Sequence, residues 1–356
     1  MLSFNEIFID STKYCTKIKT DEYHETGKNI IVDQGQNEIA GYTDLEEGLF
    51  SNVPAIIFGD HTRIIKYVDK PFFIGADGVK VLKSKYEKTN YKYLYYALKN
   101  VKIPNTGYNR HFKWLKEAKI NYPEISKQQK IVSTLDLLQS IITHRRTQLE
   151  KLDLLVKARF VEMFVGKGYP LRNLDSLSLG KGEYGAQSAS VEYDKSRPRY
   201  VRITDINDDG TLNDDYVSSL NIDDDENYKL SYGDFLFARM GATVGKTYAY
   251  LEGNQIYAGY LIRYKLNQDL INPRYLYSYT KLEEYNEWVK LNQSGAAQPG
   301  INAKKYGSLL IPVPPLNLQT QFADFVKQVD QSKSILQQEL DKAQTLFDSL
   351  MQEYFG

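Results

Sequence analysis

The chain has 356 residues, more than a single hydrophobic core usually accommodates, so we expect two or more domains. Its 42% apolar and 25% charged residues match a globular protein and exclude the disordered, collagen-like and membrane-embedded classes. Lysine plus arginine equals aspartate plus glutamate, 45 against 45, so any contact with nucleic acid must come from local basic patches.

Cysteine usage and the amino terminus bear on the compartment. Cys15 is the one cysteine, which rules out an intramolecular disulfide and a multi-cysteine zinc site and is typical of a reducing compartment. Met1–Asp10 has no cationic region followed by an apolar run, and no stretch approaches the roughly 18 apolar residues of a spanning helix. The sequence therefore predicts a cytoplasmic protein that does not associate with membranes.

Residues 1–122 form the first predicted globular region. Short apolar runs separated by glycine and polar turns predict four strands, at Asn29–Asp33, Ala55–Phe58, Arg63–Tyr67 and Val79–Leu82. The tyrosine-rich run Tyr91–Tyr96 predicts a helix after them.

Residues 123–166 form a predicted long helix. Ser126 and Gln129 fit a capping box after Pro123. At 1.5 Å per residue, the helix would span roughly 55 to 60 Å. Its seam positions recur at alternating steps of four and three, which is a heptad pattern: Ile131, Leu135, Leu138, Ile142, Arg145, Leu149, Leu152 and Val156.

Residues 167–313 form the second predicted globular region, with the same order of features as the first. A tyrosine-rich helix is predicted at Pro273–Tyr277. Five strands are predicted, at Arg199–Ile203, Asp234–Ala238, Thr247–Leu251, Tyr260–Tyr264 and Leu309–Val313.

Residues 314–356 repeat the first long helix. Pro123–Ile131 aligns with Pro314–Phe322 at an offset of 191, and the same offset carries Glu162–Phe164 onto Glu353–Phe355. Asn317 occupies the cap position after the prolines. The repeated seam contains Phe322, Val326, Val329, Lys333, Leu336, Leu340, Ala343, Phe347 and Leu350. The predicted fold is α+β, with two mixed α/β domains separated by two long helices that form an antiparallel coiled coil.

Each seam contains one basic residue, Arg145 in the first helix and Lys333 in the second. Either these residues fix the register of the antiparallel pair, or their stems lie along apolar neighbours while the charges remain in water. We predict a helix–helix and partner interface of twelve seam residues: Leu135, Leu138, Ile142, Arg145, Leu149, Leu152, Val326, Val329, Lys333, Leu336, Leu340 and Phe347. A second apolar stripe, which predicts packing against this chain's lobes or a partner, contains Val132, Leu137, Ile141, Leu155, Phe325, Ile335 and Leu346.

Several motifs look catalytic but lack the context that the chemistry needs. Gly241–Thr247 has three residues between its glycines where a phosphate-binding loop has four, and a strand-like run follows it. Gly180–Gly185 lacks a buried strand before it and a helix after it, and Asp205–Gly210 lacks the final glutamate of a calcium loop. Pro314–Pro315 is not followed by an aromatic residue, as a base-methylating loop requires.

Histidines do not supply a site either, because His24, His61, His111 and His144 show no metal-ligand spacing. The sequence predicts no catalytic residue and no metal site.

Three features together resemble the specificity subunits of type I restriction-modification systems. Tyr200–Ile206 followed by Tyr232–Lys246 is similar to the family's strand pair and Arg-x-Gly turn. Ile311–Gln319 resembles its proline-rich helix start, with Tyr122–Gln128 as a degenerate copy. Ile57–Arg63 and Phe73–Val79 look like one type of the family's recognition domain. The first lobe departs from this pattern, since it begins at Phe4–Ile7, the counterpart of Leu174–Leu177, without a lead-in resembling Gly168–Leu171.

The resemblance implies a non-catalytic subunit of a DNA adenine methyltransferase and restriction endonuclease that serves host defence. Residues 1–122 and 167–313 would be target-recognition domains, each reading half of an asymmetric bipartite site in double-stranded DNA. The spacer helices would set the gap and dock two methylation subunits that bind S-adenosylmethionine. Restriction subunits with ATP and Mg would join for cleavage, and this chain would bind no cofactor itself.

Polar and basic residues predicted in turns are the candidate DNA contacts, where arginine can bind guanine and glutamine adenine; each of them could equally be a solvated turn residue. In the first lobe they are Gln34, Tyr42, His61, Thr62, Arg63, Tyr108, Arg110 and His111. In the second they are Gln187, Ser188, Arg202, Thr204, Arg239, Thr243, Lys246, Gln293, Ser294, Gln298 and Asn302. An acidic cluster is expected to face away from phosphate: Asp208, Asp209, Asp214, Asp215, Asp223, Asp224, Asp225 and Glu226.

Two other readings stay open from the sequence. One is a structural coiled-coil scaffold with two protein-binding lobes. The other is a nucleotide-dependent hydrolase built on Gly241–Thr247.

Overall fold

The computed structural model describes residues 1–75, 77–107, 109–220, 226–294 and 299–356. It divides into two compact units, Met1–Thr147 with Gln337–Gly356, and Gln148–Leu336. Each unit contains one lobe and part of both long helices, whereas the predicted boundaries separate lobes from helices. The difference arises because an amphipathic helix buries its apolar face against neighbouring elements. A segment of a long helix and the lobe beside it therefore contribute to one hydrophobic core.

The described part of the first lobe combines a four-stranded sheet, a three-stranded sheet and the two-stranded pair of β1 and β9 with three short α-helices. β2, β8, β5 and β6 form an antiparallel sheet in that order, and β3 pairs with β4 and, in parallel, with β7. All four predicted strands and the tyrosine-rich helix are present. Its elements are β1 (Leu2–Ser3), α1 (Phe4–Ile7), β2 (Phe8–Asp10), β3 (Asn29–Val32), β4 (Gly41–Thr43), β5 (Ala55–Gly59), β6 (Ile65–Val68), β7 (Phe72–Ile74), β8 (Val79–Ser84), α2 (Tyr91–Lys99), α3 (Phe112–Lys116) and β9 (Lys119–Ile120).

The first long helix, α4 (Ile125–Phe164), is continuous over 40 residues, as the heptad pattern predicts. Its start differs from the prediction. The backbone N–H groups of Lys127 and Gln128 donate to the carbonyl oxygen of Glu124, so Glu124 is the cap and Ser126 lies inside the first turn. The Ser126 hydroxyl donates to the Glu124 carboxylate at 2.7 Å, and the predicted capping box is therefore wrong.

The second lobe has more elements but the same central plan. The antiparallel order β11, β18, β15, β16 repeats that of the first lobe's larger sheet, and β13 pairs in parallel with β17 as β3 does with β7. Its elements are β10 (Leu171–Asn173), β11 (Glu183–Tyr184), β12 (Ser190–Glu192), β13 (Arg199–Val201), β14 (Ser218–Leu220), β15 (Asp234–Ala238), β16 (Thr247–Ala249), β17 (Gln255–Tyr257), β18 (Leu261–Lys265), α5 (Pro273–Tyr279), α6 (Glu283–Asn292), α7 (Ala303–Gly307) and β19 (Leu310–Pro312).

The second long helix, α8 (Leu316–Phe355), also has 40 residues. Leu318 and Gln319 donate their backbone N–H groups to the carbonyl oxygen of Pro315, so Pro315 takes the cap position predicted for Asn317. In both long helices the cap lies two residues earlier than the side-chain signals indicate.

Within the second unit, segments of α4 and α8 run antiparallel. Lys333 pairs with Asp153 at 2.6 Å, and Phe322 packs against Phe160 with ring centroids 5.3 Å apart. Residue numbers therefore rise on one helix as they fall on the other. The seam residue Val329 is buried.

Within the first unit, the other seam charge also pairs with the facing helix. Arg145 Nη2 lies 2.9 Å from the Glu339 carboxylate. Leu135, Ile142 and Phe347 are buried in this segment of the seam. Arg145 and Lys333 both bind a carboxylate of the opposite helix. The structure therefore favours the interpretation that these residues fix the register of the helix pair over the one in which their charges remain in water.

Candidate nucleic-acid interface

Three loops of the first lobe meet at one end of its sheets, and Gln34 holds them together. Its side-chain amide nitrogen donates to the Asp77 carbonyl oxygen at 2.7 Å, and its amide oxygen accepts from the His61 N–H at 3.1 Å. The Thr62 hydroxyl donates to the Gln34 carbonyl oxygen at 2.7 Å. A Cβ at Gly59 would lie 2.2 Å from the Thr62 hydroxyl oxygen, so this close approach requires glycine. The predicted contact Gln34 thus also braces the loops after β3, β5 and β7.

Charged side chains surround this brace. Lys17 forms an ion pair with Asp77, whose side chain is 91% exposed. The Lys17 hydrogen bond and charge hold the pKa of Asp77 below its usual value, and Arg110 and His61 add to that effect. Arg110 is exposed. Around Gln34 this end of the lobe therefore carries the cations Lys17 and Arg110 together with the exposed carboxylate of Asp77.

The prediction that His111 contacts DNA is wrong. Its side chain is 0% exposed, and its ring Nδ1 lies 3.0 Å from the Asp60 carbonyl oxygen. The buried Asp60 carboxylate in turn accepts the Phe112 N–H at 2.7 Å. His111 and Asp60 together fix the start of α3, a structural role that a single sequence does not distinguish from surface recognition.

The remaining first-lobe candidates have mixed positions. Tyr42 lies in β4 rather than in a turn and is half-buried. Arg63 has a positive φ of 64° and places its guanidinium 3.4 Å from the Ile103 carbonyl oxygen. Thr62 is exposed. Tyr108 lies outside the described residues.

In the second lobe the corresponding loops follow β13, β15 and β17, and Arg239 links the loop after β15 to the loop after β17. Its backbone N–H donates to the Tyr260 carbonyl oxygen at 3.0 Å, and its carbonyl accepts from the Ile301 N–H at 2.9 Å. Its guanidinium Nε donates to the Gly259 carbonyl oxygen at 3.0 Å. The guanidinium carbon lies 4.9 Å from the Tyr184 ring centroid and 5.7 Å from that of Tyr260. Arg239 is thus held by hydrogen bonds and two aromatic rings.

Two other predicted cations of this lobe bind carboxylates. Arg202 is bidentate to the buried Asp205, at 2.9 and 3.2 Å. Lys246 lies 2.7 Å from the carboxylate of Asp208, which is 94% exposed and whose pKa Lys246 lowers through a hydrogen bond and its charge. That the acidic cluster faces away from phosphate stays a prediction, although Asp208 of this cluster lies beside the candidate contact Lys246. Asp223, Asp224 and Asp225 lie outside the described residues.

Among the other second-lobe candidates, several have local structural roles. The Asn302 side chain caps α7 by accepting the Lys305 N–H at 2.9 Å, and the Thr243 hydroxyl donates to the Met240 carbonyl oxygen at 3.3 Å. Thr204 donates its hydroxyl to Asp205 at 3.1 Å. The exposed residues are Gln187, Thr204, Ser294 and Asn302, and the half-buried ones are Ser188, Thr243 and Gln293. Gln298 lies outside the described residues.

Sequence reasoning missed four residues of these surfaces: Lys17, Asp77, Tyr184 and Tyr260. Tyr184 lies inside the glycine-rich run that was considered only as a nucleotide motif. Lys17 carries no local signal, because its partner Asp77 is 60 residues away in the chain. Such pairs become visible only when the loops are folded together.

The catalytic-looking motifs fold as turns and strands. Gly241–Thr243 is a single 3-10 turn followed by β16, and Gly180–Gly185 contains the short strand β11, so no helix N-terminus backs either motif. In Asp205–Gly210 the Asp209 carboxylate accepts the Thr211 N–H at 2.9 Å, as in an ordinary turn. Within the described ranges, no group of three His, Cys, Asp or Glu side chains could hold a metal ion. No helix in the described part of the chain combines the length and apolar character needed to cross a membrane.

Comparison with known proteins gives a consistent result. The family model described as "Type I restriction modification DNA specificity domain" matches residues 4–152 and 181–345. The specificity subunit of the type I restriction enzyme EcoR124I/EcoR124II from Escherichia coli is 29% identical over 151 residues, which is 39% of this chain. The match spans 37% of that relative's length.

Two solved structures share the fold. The S subunit of the type I restriction-modification system from M. genitalium superposes with a TM-score of 0.67 at 16% identity, covering 99% of this chain and 95% of that one. A chain from a study of complex assembly and conformational transition of the type I R-M system gives a TM-score of 0.55 at 16% identity, with the same coverage.

Proposed function

Because the chain belongs to the family of type I restriction-modification DNA specificity domains, we propose that each of its lobes reads one half of a bipartite DNA site. The observation that carries the proposal is that polar side chains join the loops at the ends of equivalent strands, Gln34 joining three loops in the first lobe and Arg239 joining two in the second. Loops on a rigid sheet are the usual location of recognition residues.

The two half-sites should differ, because equivalent loop positions carry different chemistry. Gly59 and Asp60 end β5 and begin its loop in the first lobe, where Arg239 and Met240 follow β15 in the second. A glycine and a buried carboxylate cannot make the contacts of an arginine. An asymmetric target follows from that difference.

The proposal assigns the gap between the half-sites to α4 and α8. Each helix is continuous over 40 residues, roughly 60 Å at 1.5 Å per residue. Reading elements joined through a helix must contact groove segments at a set separation along the duplex. Inserting one heptad at matched positions in both helices should change the gap and leave both half-sites unaltered.

The proposal also assigns partners to the helices. The second apolar stripe is exposed at Leu137, Ile141, Leu155, Ile335 and Leu346, whereas Val132 is buried. Large exposed apolar side chains on one helix surface are typical of an interaction site. We assign this surface to two methylation subunits that bind S-adenosylmethionine, with ATP- and Mg-dependent restriction subunits completing the complex. The chain itself would have no catalytic role.

DNA binding by the chain together with its methylation subunits tests the function. Fluorescence anisotropy with a random-sequence duplex, at several salt concentrations, should show affinity that falls linearly on a log–log plot as salt rises. The methylation subunits alone are the control. A complex that assembles but shows no salt-dependent DNA binding would instead support the scaffold reading.

A further inference from the structure

Arg239 is folded back onto its own lobe rather than extended into solvent. Its Nε is engaged by the Gly259 carbonyl oxygen at 3.0 Å, and its guanidinium lies against the rings of Tyr184 and Tyr260. Its backbone is fixed on both sides by hydrogen bonds to Tyr260 and Ile301. The side chain therefore occupies one defined position before any ligand arrives.

One edge of this guanidinium is left for a ligand. Among the described residues, no acceptor is bonded to its two terminal nitrogens, and no carboxylate pairs with it. Lys246 and Arg202 differ, since each binds an aspartate of the same lobe. The flanking rings remain open to solvent, Tyr184 at 43% exposure and Tyr260 at 52%. Arg239 thus offers two parallel donors and an uncompensated positive charge.

We propose, resting on the function proposed above, that Arg239 binds a phosphodiester of the DNA backbone and not a base edge. A guanidinium edge matches two phosphate oxygens in a bidentate contact. Base edges lie on the floor of a major groove about 8.5 Å deep, which a side chain bent onto its own lobe does not reach. The phosphates line the rim of that groove. Arg239 therefore fixes the position of the second lobe on the duplex, and other residues read the sequence.

The structure also explains why the first lobe lacks this contact. At the equivalent turn Asp60 is buried, and its carboxylate accepts the Phe112 N–H. The contact is consequently specific to the second lobe, and its loss should not alter how the first lobe selects its half-site.

The test uses the full complex with two duplexes: one of random sequence, and one carrying the target identified by mapping methylated adenines. In Arg239→Ala the affinity for each duplex should fall about tenfold or more, as expected when a hydrogen-bonded charged contact is removed. The factor should be similar for the two duplexes. The slope of log affinity against log salt should become shallower by about one. Arg239→Lys, which keeps the charge but not the two-donor edge, should fall between wild type and Arg239→Ala. The mapped methylation motif should be unchanged in both variants.

Arg172 provides a matched control, because it is a half-buried arginine of the same unit that donates to the Ser176 carbonyl oxygen at 3.1 Å. Arg172→Ala should leave both affinities at wild-type values, and thermal unfolding of all variants shows whether they are folded.

A loss confined to the target duplex, or a changed motif, would overturn the phosphate assignment in favour of base reading. Unchanged affinity in folded Arg239→Ala would overturn any DNA contact by this residue. If the wild-type complex binds neither duplex, the function proposed above fails as well, and that result is distinct from the other two.

Discussion

The side-chain amide oxygen of Gln128 accepts a hydrogen bond from the backbone N–H of Asn90 at 3.0 Å. In the second unit Gln319 accepts from Asn272 in the same way, at 2.9 Å. Each glutamine is buried in the first turn of a long helix, and each donates to a proline carbonyl oxygen, that of Pro123 or Pro314. The internal repeat therefore preserves one junction between the tyrosine-rich helix of a lobe and the start of the long helix that follows it.

Replacing this glutamine should destabilise the protein. Gln319→Leu leaves the half-buried Asn272 N–H without its acceptor and removes the bonds that the buried glutamine donates, so the free energy of unfolding should fall by about 1–3 kcal/mol. Urea unfolding measures the change. Gln337, which is exposed on the same helix, supplies the control, and Gln337→Leu should stay within about 0.5 kcal/mol of wild type. Equal effects of the two substitutions would show that the junction has no special role.

The ion pair between the long helices should behave as a register contact. Lys333→Glu places a second carboxylate beside that of Asp153, and adding Asp153→Lys restores a pair of opposite charges. A double-mutant cycle at low salt should give a coupling of about 0.2–1 kcal/mol, since both side chains are partly exposed. As a comparison, Arg159 and Glu162 pair within one helix, and reversing that pair should not affect how the two helices associate. A coupling of zero at Lys333 and Asp153 would contradict a register role.

Asp208 should limit binding to DNA of arbitrary sequence. Its carboxylate pairs with Lys246, so Asp208→Asn frees a lysine and removes a negative charge near the phosphates. Affinity of the complex for a random duplex should rise about two- to fivefold at low salt, with a steeper salt dependence. The control is Glu162→Gln, in a partly exposed pair with Arg159 on α4 and outside both lobes, which should change nothing. An unchanged affinity for Asp208→Asn would place Lys246 outside the DNA interface.

We expect a pH-dependent loss of stability that arises from the ion pair between Glu183 and the buried Arg263. Burial opposes ionisation of Glu183, but hydrogen bonds and charge from Arg263 and Lys265 outweigh it and hold its pKa below the usual value of 4.5. A carboxylate with a lowered pKa contributes stability above the pKa of the unfolded chain, and that contribution is lost as pH falls through the folded-state pKa. Glu183→Gln should therefore cost about 0.5–1 kcal/mol at pH 7, discounted for the partial exposure of Glu183.

That cost should vanish in acid. As pH falls from 4.5 through the lower folded-state pKa, the wild-type carboxylate becomes protonated, and the free energies of unfolding of wild type and Glu183→Gln should converge. Asp234, which also faces Arg263, is present in both proteins, and burial raises its pKa. The Glu183 charge raises the pKa of Asp234 further, so the comparison is made in an Asp234→Asn background, where the contribution of Glu183 is isolated. A difference between the two proteins that persists at low pH would show that Glu183 acts through packing and not through its charge.

Periodic features of the fold were predictable from the sequence. Heptad spacing predicted the two long helices because the apolar seam repeats along most of each helix, and apolar runs between glycines predicted the central strands of both lobes. The helices α1, α3 and α7, of four or five residues, were not predicted because they are too short to show a period. The ten-residue α6 was not predicted either, since its cap residue Leu282 carries no side-chain capping signal. The cap of α4 was misplaced by two residues because the carbonyl oxygen of Glu124, rather than the Ser126 hydroxyl, accepts from the first N–H groups.

Residues of the candidate interface were predicted less well than the fold. Residue type alone indicates a polar turn, but it does not show that His111 is buried with a structural role whereas Arg110 is exposed. Nor does it show that Lys246 meets Asp208, or that Arg239 lies between two tyrosines. These contacts join loops that are distant in the sequence and that come together only when the sheets of each lobe have formed.

The central claim is that two lobes of unlike surface each select their own half-site, and adenine methylation mapping tests it most directly. The chain would be co-expressed with its methylation subunits in a host free of other adenine methylation, and modified adenines mapped by long-read sequencing. We predict one asymmetric motif with two different specified segments separated by a gap of constant length. A palindromic motif, an uninterrupted motif or an absence of methylation would contradict it.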